Sequence, residues 1–501
     1  MIPRTIKRIF LAVILGSLVF VAGAGADDIQ LPDMGSPADS VLSNTEEARI
    51  GRMIMRDIRN SGRVVEDPLI TEYLNDIGSR IAAQTNEGDH SFTFFAVDDP
   101  RINAFALPGG YIGVHTGLIE ASRSEDELAG VLAHEIAHVT QRHIARAIHA
   151  NSRQSILTTA MMLGAIIVAA AGGSSDAVQG AMAVAQGSAA QQQINFTRSN
   201  EYEADRVGIA ALADADFDPY GMASFFEVMS RQQTTSPEMR APEFMRTHPV
   251  TTARIAEARS RARNYPQTNS DDSTSYGIAR ARIVVAQFDT PEKAIAFVEG
   301  GDYEDENDID RYMRAVAYQR AGRYFDALPI FEELLREDKS IIAYHIGLGQ
   351  TLVALDQWSD AVEVFDRALN LFPRNVPLVI EYGERLIELR QAEKAHTLLL
   401  DLLNNVPPTP AQIRLIARAA SMAGQQAEAY YYMSEYRLMI GDLMGGIGFL
   451  QRALQLPDLQ AIQKARFEAR INFIREFMTE DQLRNMQSSR PAGLSGSNTP
   501  R

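Results

Sequence analysis

Five consecutive residues carry the clearest chemical pattern in this chain. His134-Glu135-Ile136-Ala137-His138 sets two imidazoles four residues apart, with a carboxylate beside the first. On a helix, positions i and i+4 lie one turn apart on the same face, so His134 and His138 can offer ring nitrogens to one metal ion. Glu135 falls about 100° around that helix. From there it can reach a water on the ion without binding the ion, and act as general base. With nine His and 64 acidic residues in 501, chance produces such a pattern in at most about two per cent of chains. The competing reading is a helix whose two histidines are ordinary core or surface residues.

A catalytic zinc takes three protein ligands and a water, so a third ligand must come from elsewhere in the fold. Downstream, a helix starting near Asn200 carries Glu201 and Asp205, again four apart on one face. Glu201 can ligate while Asp205 hydrogen-bonds the free nitrogen of a ligand histidine and fixes its tautomer. Glu203 lies about 200° around from Glu201 and should point elsewhere. The alternative is a solvated acidic helix start, favoured by the helix dipole. His143 is nine positions after His134, about half a turn out of phase, which makes it a solvent or packing histidine, like His149. His345 and His396 sit in the repetitive second half and read as ordinary. His248 precedes Pro249, which restricts the backbone, and lies ahead of Arg254. A structural role and a role in the site are equally open for it.

These groups need elements to hold them. Ser43 to Ala83 reads as mostly helix, opened by a capping box of Ser43 and Glu46. Phe92–Val97, Ile102–Leu107 and Tyr111–His115 read as strands, the last two around the turn Pro108-Gly109-Gly110. Ser124 and Glu127 form a second capping box, and no proline follows before Pro219. That predicts one helix running through His134 and His138 to about Ala150. Ile156–Ala171 and Ala177–Ala190 are apolar runs around a Gly-Gly-Ser-Ser break. They are short for bilayer spans and read as a buried or interfacial hairpin.

From Asn264 to Ser275 the chain turns polar, and beyond it a fixed period appears. Ala327, Ala361, Ala395 and Ala429 are each 34 apart. The same interval separates Phe331, Phe365, Leu399 and Met433, then Ala315, Gly349, Gly383 and Ala417, then Pro373 and Pro407. A 34-residue helix-turn-helix period with small residues at helix crossings is the tetratricopeptide signature. Ile278–Glu299 reads as a degraded first repeat, with Phe297 in the Phe331 column, and Leu443–Leu456 as a last half-repeat.

Composition narrows the setting. A balance of 48 basic to 64 acidic residues, net −16, argues against a broad nucleic-acid surface. Arg4, Lys7 and Arg8, then apolar Ile9–Val21, then Ala24-Gly25-Ala26, fit a cleavable export signal over residues 1–26. An uncleaved anchor helix is the alternative. The absence of cysteine leaves no site for lipid attachment and suits an oxidising compartment without requiring it.

The Asn103–Gly110 run (NAFALPGG), the His134-Glu135-x-x-His138 helix, the Glu201-x-x-x-Asp205 helix and the His248-Pro249 segment stand in the order seen in the BepA-type periplasmic zinc metalloproteases, relatives of the HtpX and CAAX-prenyl endopeptidases. The resemblance covers almost the whole mature chain. It implies a mainly α architecture: a gluzincin-like HExxH zinc-metalloprotease domain with a small β-sheet over residues 27–264, a linker over 265–275, an all-α tetratricopeptide solenoid over 276–486, and a disordered tail over 487–501. It implies one Zn2+ per chain held by His134, His138 and Glu201, with Glu135 as general base and acid, and Asp205 supporting a ligand. It implies that His248 occupies or guards the fourth zinc position. Arg254 or His248 would stabilise the oxyanion. The task implied is cleavage of unfolded or misassembled proteins in outer-membrane protein assembly and quality control, in the periplasm, with the assembly machinery met through the repeats and a peripheral membrane contact through 156–190. A substrate would add as a strand along Ile102–Leu107 or the strand after the Gly-Gly turn. The rival function is an assembly chaperone or scaffold whose protease site is latent or vestigial.

Overall fold

A computed structural model describes residues 42–85, 91–150, 198–235, 243–268, 272–300, 306–476 and 478. The export signal, the apolar runs of 156–190 and the tail from 487 lie outside the described residues. The first half runs α1 (Asn44–Asn60), α2 (Pro68–Ala82), β1 (Thr93–Val97), β2 (Ala104–Leu107), β3 (Tyr111–His115), α3 (Thr116–Ala121), α4 (Glu125–Thr140), α5 (His143–Ala150), α6 (Arg198–Asp214), α7 (Tyr220–Thr235), α8 (Glu243–Thr247) and α9 (Thr252–Ala262). Helical hairpins follow: α10 (Thr274–Gln287) with α11 (Pro291–Glu299), α12 (Asp308–Arg320) with α13 (Tyr324–Glu337), α14 (Ile342–Ala354) with α15 (Trp358–Leu371), α16 (Val376–Glu388) with α17 (Ala392–Asn405), α18 (Pro410–Met422) with α19 (Gln426–Met439), and α20 (Leu443–Ala453) with α21 (Ala461–Glu476). The architecture is mainly α with one small sheet, as the sequence implied. Among the described residues no helix is long and apolar enough to cross a membrane.

The three strands form a sheet in the order β1-β3-β2, with β1 parallel and β2 antiparallel to β3. Gly109 and Gly110 turn the chain between β2 and β3 at φ of 78° and 80°, a region open chiefly to glycine. β1 and β2 are the outer strands, and the outer side of β1 is bridged by the Val64–Val65 segment. The mostly helical stretch 43–83 is two helices, α1 and α2, and Asp67 with Pro68 begins the second: Asp67 Oδ1 accepts from Leu69 N at 3.0 Å. Ser43 and Ser124 cap α1 and α4 as expected. Their acidic partners bond differently. Glu46 pairs with Arg49, and Glu127 accepts from the Arg123 backbone at 2.8 Å and from the Arg123 guanidinium. A nearby arginine outcompetes the cap's own N–H for the carboxylate.

From Leu128 to His138, α4 is buried all around. It is the axis of the first core, with α6 and α7 packed against it. Glycine makes the close crossings. A Cβ on Gly130 would stand 2.6 Å from the Met222 backbone of α7, and one on Gly208 of α6 would stand 3.1 Å from the Ala133 backbone. These approaches bring the α6 carboxylates within reach of the α4 imidazoles.

The expected continuation of α4 to Ala150 fails at Arg142, which adopts φ 51° and starts α5 in a new direction. No glycine or proline marks the break. Arg142 is held by distant groups: its Nη2 donates to the Leu42 carbonyl at 2.7 Å and lies 3.2 Å from Glu47 Oε1.

In the second half, first helices begin at 274, 308, 342, 376 and 410, 34 residues apart. Small and large columns interlock within each hairpin: a Cβ on Gly383 would meet the Leu399 side chain at 3.1 Å, and Gly349 faces Phe365 in the same way. Two expectations change. Phe297 is 53% exposed, stacking on Phe288 instead of filling the Phe331 column. The half-repeat at 443 is a full hairpin, since α21 packs Phe467 and Ile471 onto Ile447 and Leu450. Helix α10 serves both cores, giving Tyr276, Ala279 and Ile283 to the first and Ile278 and Ala281 to the second. The start of α2 docks on the repeats: Arg282 Nε donates to Asp67 at 2.7 Å, Asn375 Nδ2 to Glu72 at 2.9 Å, and Arg414 to Glu66 at 3.3 Å.

Gly130→Ala separates two opposing effects. Helix propensity alone favours alanine by about 1 kcal/mol, while overpacking against the α7 backbone costs about 1–3 kcal/mol. With backbone as the obstacle, packing should win, and thermal unfolding of the variant should occur below the wild-type temperature.

Candidate metal centre

Four side chains from three segments converge. His134 and His138 come from α4, Glu201 from α6, and His248 from the turn after α8. Their ligand atoms all lie within 4.8 Å of one another, and all four residues are buried. His134 Nε2 is 3.0 Å from His138 Nε2 and 3.2 Å from His248 Nδ1. Glu201 Oε1 is 3.2 Å from His248 Nδ1 and 3.5 Å from His138 Nε2, and Oε2 is 3.5 Å from His134 Nε2. Ligands of a tetrahedral site with bonds of ~2.05 Å stand about 3.3 Å apart. Neutral imidazole nitrogens converging with their lone pairs repel one another, and a shared cation relieves that repulsion. The donor set and its spacing therefore fit a small divalent ion.

Support comes from behind the ligands. Asp205 Oδ1 is 2.9 Å from His134 Nδ1, the reach expected from the sequence. Arg254, on α9 and 2% exposed, grips Asp205 through Nε at 2.8 Å and Nη2 at 2.7 Å. Its Nη1 donates to Glu201 Oε2 at 2.8 Å and to the Pro249 carbonyl at 3.0 Å. The oxyanion expectation for Arg254 is corrected by this geometry: these donors are committed to two carboxylates and a backbone oxygen on the far side of Glu201. Burial alone would raise the Glu201 pKa. Electrostatic attraction from the neighbouring His248 ring and the hydrogen bonds of His134 and His248 outweigh it and hold the carboxyl well below the usual range. Asp205 is likewise lowered against burial, by His134 and Arg254. Both acids are therefore anionic.

Glu135 is 1% exposed and stands beside the cluster. Its Oε1 has no hydrogen-bond partner among the described residues and lies 3.4 Å from His248 Nε2. His248 is held by a stack on Phe244, with ring centroids 4.9 Å apart, and by a 2.7 Å bond from its N–H to the Phe244 carbonyl. Phe244 N in turn donates to the Ile102 carbonyl at 3.1 Å, just ahead of edge strand β2.

The break at Arg142 overturns the placement of His143, while Glu203 points away from the cluster as expected. His143 is fully buried, with Nδ1 2.8 Å from His138 Nδ1 and Nε2 3.3 Å from Glu203 Oε2. Glu203, outside the cluster, also accepts from Arg146 at 2.9 Å. Burial pushes the His143 pKa down to about 4, and the Glu203 hydrogen bond only partly offsets it. The phase argument had assumed an unbroken helix. His345, in the repeats, bonds the Lys339 carbonyl at 3.0 Å, and the His149 side chain lies outside the described residues.

Comparison with known proteins agrees with this geometry. The sequence profile of peptidase family M48 matches residues 68–262, and a tetratricopeptide repeat profile matches 352–419. The beta-barrel assembly-enhancing protease of Escherichia coli K12 is 31% identical over 503 residues, covering 97% of this chain and 98% of that protein. A Vibrio cholerae relative described in the same terms is 34% identical over 474 residues, covering 93% of this chain and 96% of that one. A mitochondrial metalloendopeptidase of Arabidopsis thaliana is 28% identical over 200 residues, covering 40% of this chain and 38% of that one.

Arg254→Met should test the support. It leaves two buried carboxylates without their cation, which costs on the order of 3–5 kcal/mol. Urea unfolding of metal-free protein should show the loss. Arg254→Lys, which keeps the charge without the fork, should fall between Met and wild type.

Proposed function

From the premise that the chain belongs to the beta-barrel assembly-enhancing proteases of peptidase family M48, and is a metalloendopeptidase, we propose an exported zinc enzyme that cleaves unfolded or misassembled outer-membrane proteins and aids their assembly. The observation that carries this reading is the convergence of His134, His138 and Glu201 with Glu135 at their side. Two imidazoles, a carboxylate and an adjacent uncommitted carboxylate are the donor set of a catalytic zinc site. The basic, apolar and small-residue pattern of the first 26 residues supports export to the periplasm. The repeats suit protein partners, among them the assembly machinery, and the apolar runs of 156–190 suit a peripheral membrane contact.

When bound, the ion would polarise the scissile carbonyl and make a water acidic enough to ionise near neutral pH. The chain's own groups handle the rest. His134, His138 and Glu201 would hold the ion, and Arg254 holds the Glu201 carboxylate in place by donating to Oε2, with both oxygens facing the imidazoles. Glu135 takes the proton of the attacking water and returns it to the departing amine nitrogen. Substrate can add along β2, whose outer edge is unpaired by strands among the described residues. Selection would then favour extended chains over particular side chains.

Glu135→Gln should keep fold and zinc while lowering proteolysis of casein by at least about a hundredfold. Cleavage at the wild-type rate would defeat this assignment, and loss of zinc from the variant would make Glu135 a ligand or structural residue.

The reading of a latent protease that also serves as an assembly chaperone has a specific observation in its favour. His248 Nδ1 stands at ligand distance from its neighbours, while Nε2 faces Glu135. As fourth ligand, His248 takes the place of the attacking water and holds the enzyme at rest. The Phe244 bond to Ile102 ties this loop to the strand edge that a substrate would approach. His248→Ala should therefore cut model substrates faster than wild type at equal zinc occupancy. A rate about a hundredfold lower would instead make His248 an oxyanion stabiliser.

A further inference from the structure

His138 and His134 share one turn of α4 but are supported differently. The ring of His134 leans on a carboxylate, Asp205. The ring of His138 leans on another imidazole: His143 Nδ1 at 2.8 Å from His138 Nδ1. Two facing Nδ1 atoms make a hydrogen bond only if one carries the proton and the other the lone pair. His138 Nε2 faces the cluster and must keep its lone pair to ligate, which puts the proton on its Nδ1. His143 Nδ1 is then the acceptor, and its own proton lies on Nε2, 3.3 Å from Glu203 Oε2. Arg146 Nη1, at 2.9 Å from the same oxygen, holds the carboxylate in place. Every proton in the chain His138 to His143 to Glu203 has one direction. The turn at Arg142 makes the contact possible, since on a continued helix His143 would face away from His138.

Resting on the metal centre argued above, we propose that His143 is a positioning residue that fixes the ring and tautomer of His138 for metal binding, with Glu203 fixing His143 in turn. Groups that orient a ligand histidine in this way typically change metal affinity by 10–100-fold, on the order of what a direct bond to the ligand nitrogen supplies.

Zinc affinity of the full mature chain, measured by competition with a chromophoric chelator, tests this apart from catalysis. Two variants of similar bulk oppose packing and hydrogen bonding. His143→Leu fills the space with no acceptor. His143→Asn offers Oδ1 near the position of Nδ1. The expected result is a 10–100-fold weaker zinc affinity for H143L and an affinity within about threefold of wild type for H143N. H143L binding as tightly as wild type overturns the proposal, as does H143N binding as weakly as H143L. Glu203→Leu touches no ligand directly and guards against misfolding at position 143. It should weaken zinc by about three- to tenfold, and an unchanged affinity overturns the relay. His134→Ala separates the two levels. If it binds zinc like wild type, the metal centre itself is misassigned. If it loses zinc while H143L does not, only the role of His143 fails.

Discussion

The buried ion pair between Arg254 and Asp205 is the contact on which the site depends. Two carboxylates of α6 point into a core where an unpaired charge would be untenable. A forked guanidinium from α9 takes both oxygens of one and one oxygen of the other. The fork does more than neutralise. It sets Asp205 against His134 Nδ1 and holds Glu201 with both oxygens toward the imidazoles. Phe226 covers the guanidinium face at 4.9 Å, which keeps water from loosening the pair. A point charge such as lysine could not satisfy the same set of acceptors at once.

That arrangement requires helices closer together than ordinary side chains allow. Glycine at 130 and 208 provides the approach, and α4 consequently has almost no solvent-facing side. A helix so enclosed cannot shift its histidines without disturbing α2, α6, α7 and β2 around it. The two ligand rings nevertheless have unequal backing, one a buried carboxylate and the other an imidazole that ends at a partly exposed acid and arginine. Ring His134 is anchored in the core, and ring His138 is anchored near the surface.

Much of this could be read from residue order. The strands fall on the expected spans Phe92–Val97 and Tyr111–His115 to within a residue, and serine caps open α1 and α4 where expected. The 34-residue columns place the repeat helices because small and large residues alternate at fixed contacts. What the sequence concealed has a common cause. The left-handed turn at Arg142 is held by Leu42 and Glu47, about 100 residues upstream, and nothing local announces it. His143 was placed by the phase of a helix that does not continue. Arg254 is one arginine among many in the sequence, and only the approach of α9 to α6 reveals its partners. Phe297 sits in the right column of a repeat whose first helix is already claimed by another core.

The docking of α2 on the repeats changes what kind of object the second half is. A stack of hairpins in contact only with their neighbours behaves as a chain of links: it frays from either end, and its curvature is free to breathe. Here one short helix start, from Glu66 to Glu72, bonds to α10, α16 and α18 together, and Leu69 packs against two separate clusters of the stack. Links far apart in sequence are thereby tied across the bend, like a bowstring across a bow. The hairpins of the array are held to one another through α2, the same helix that packs on α4.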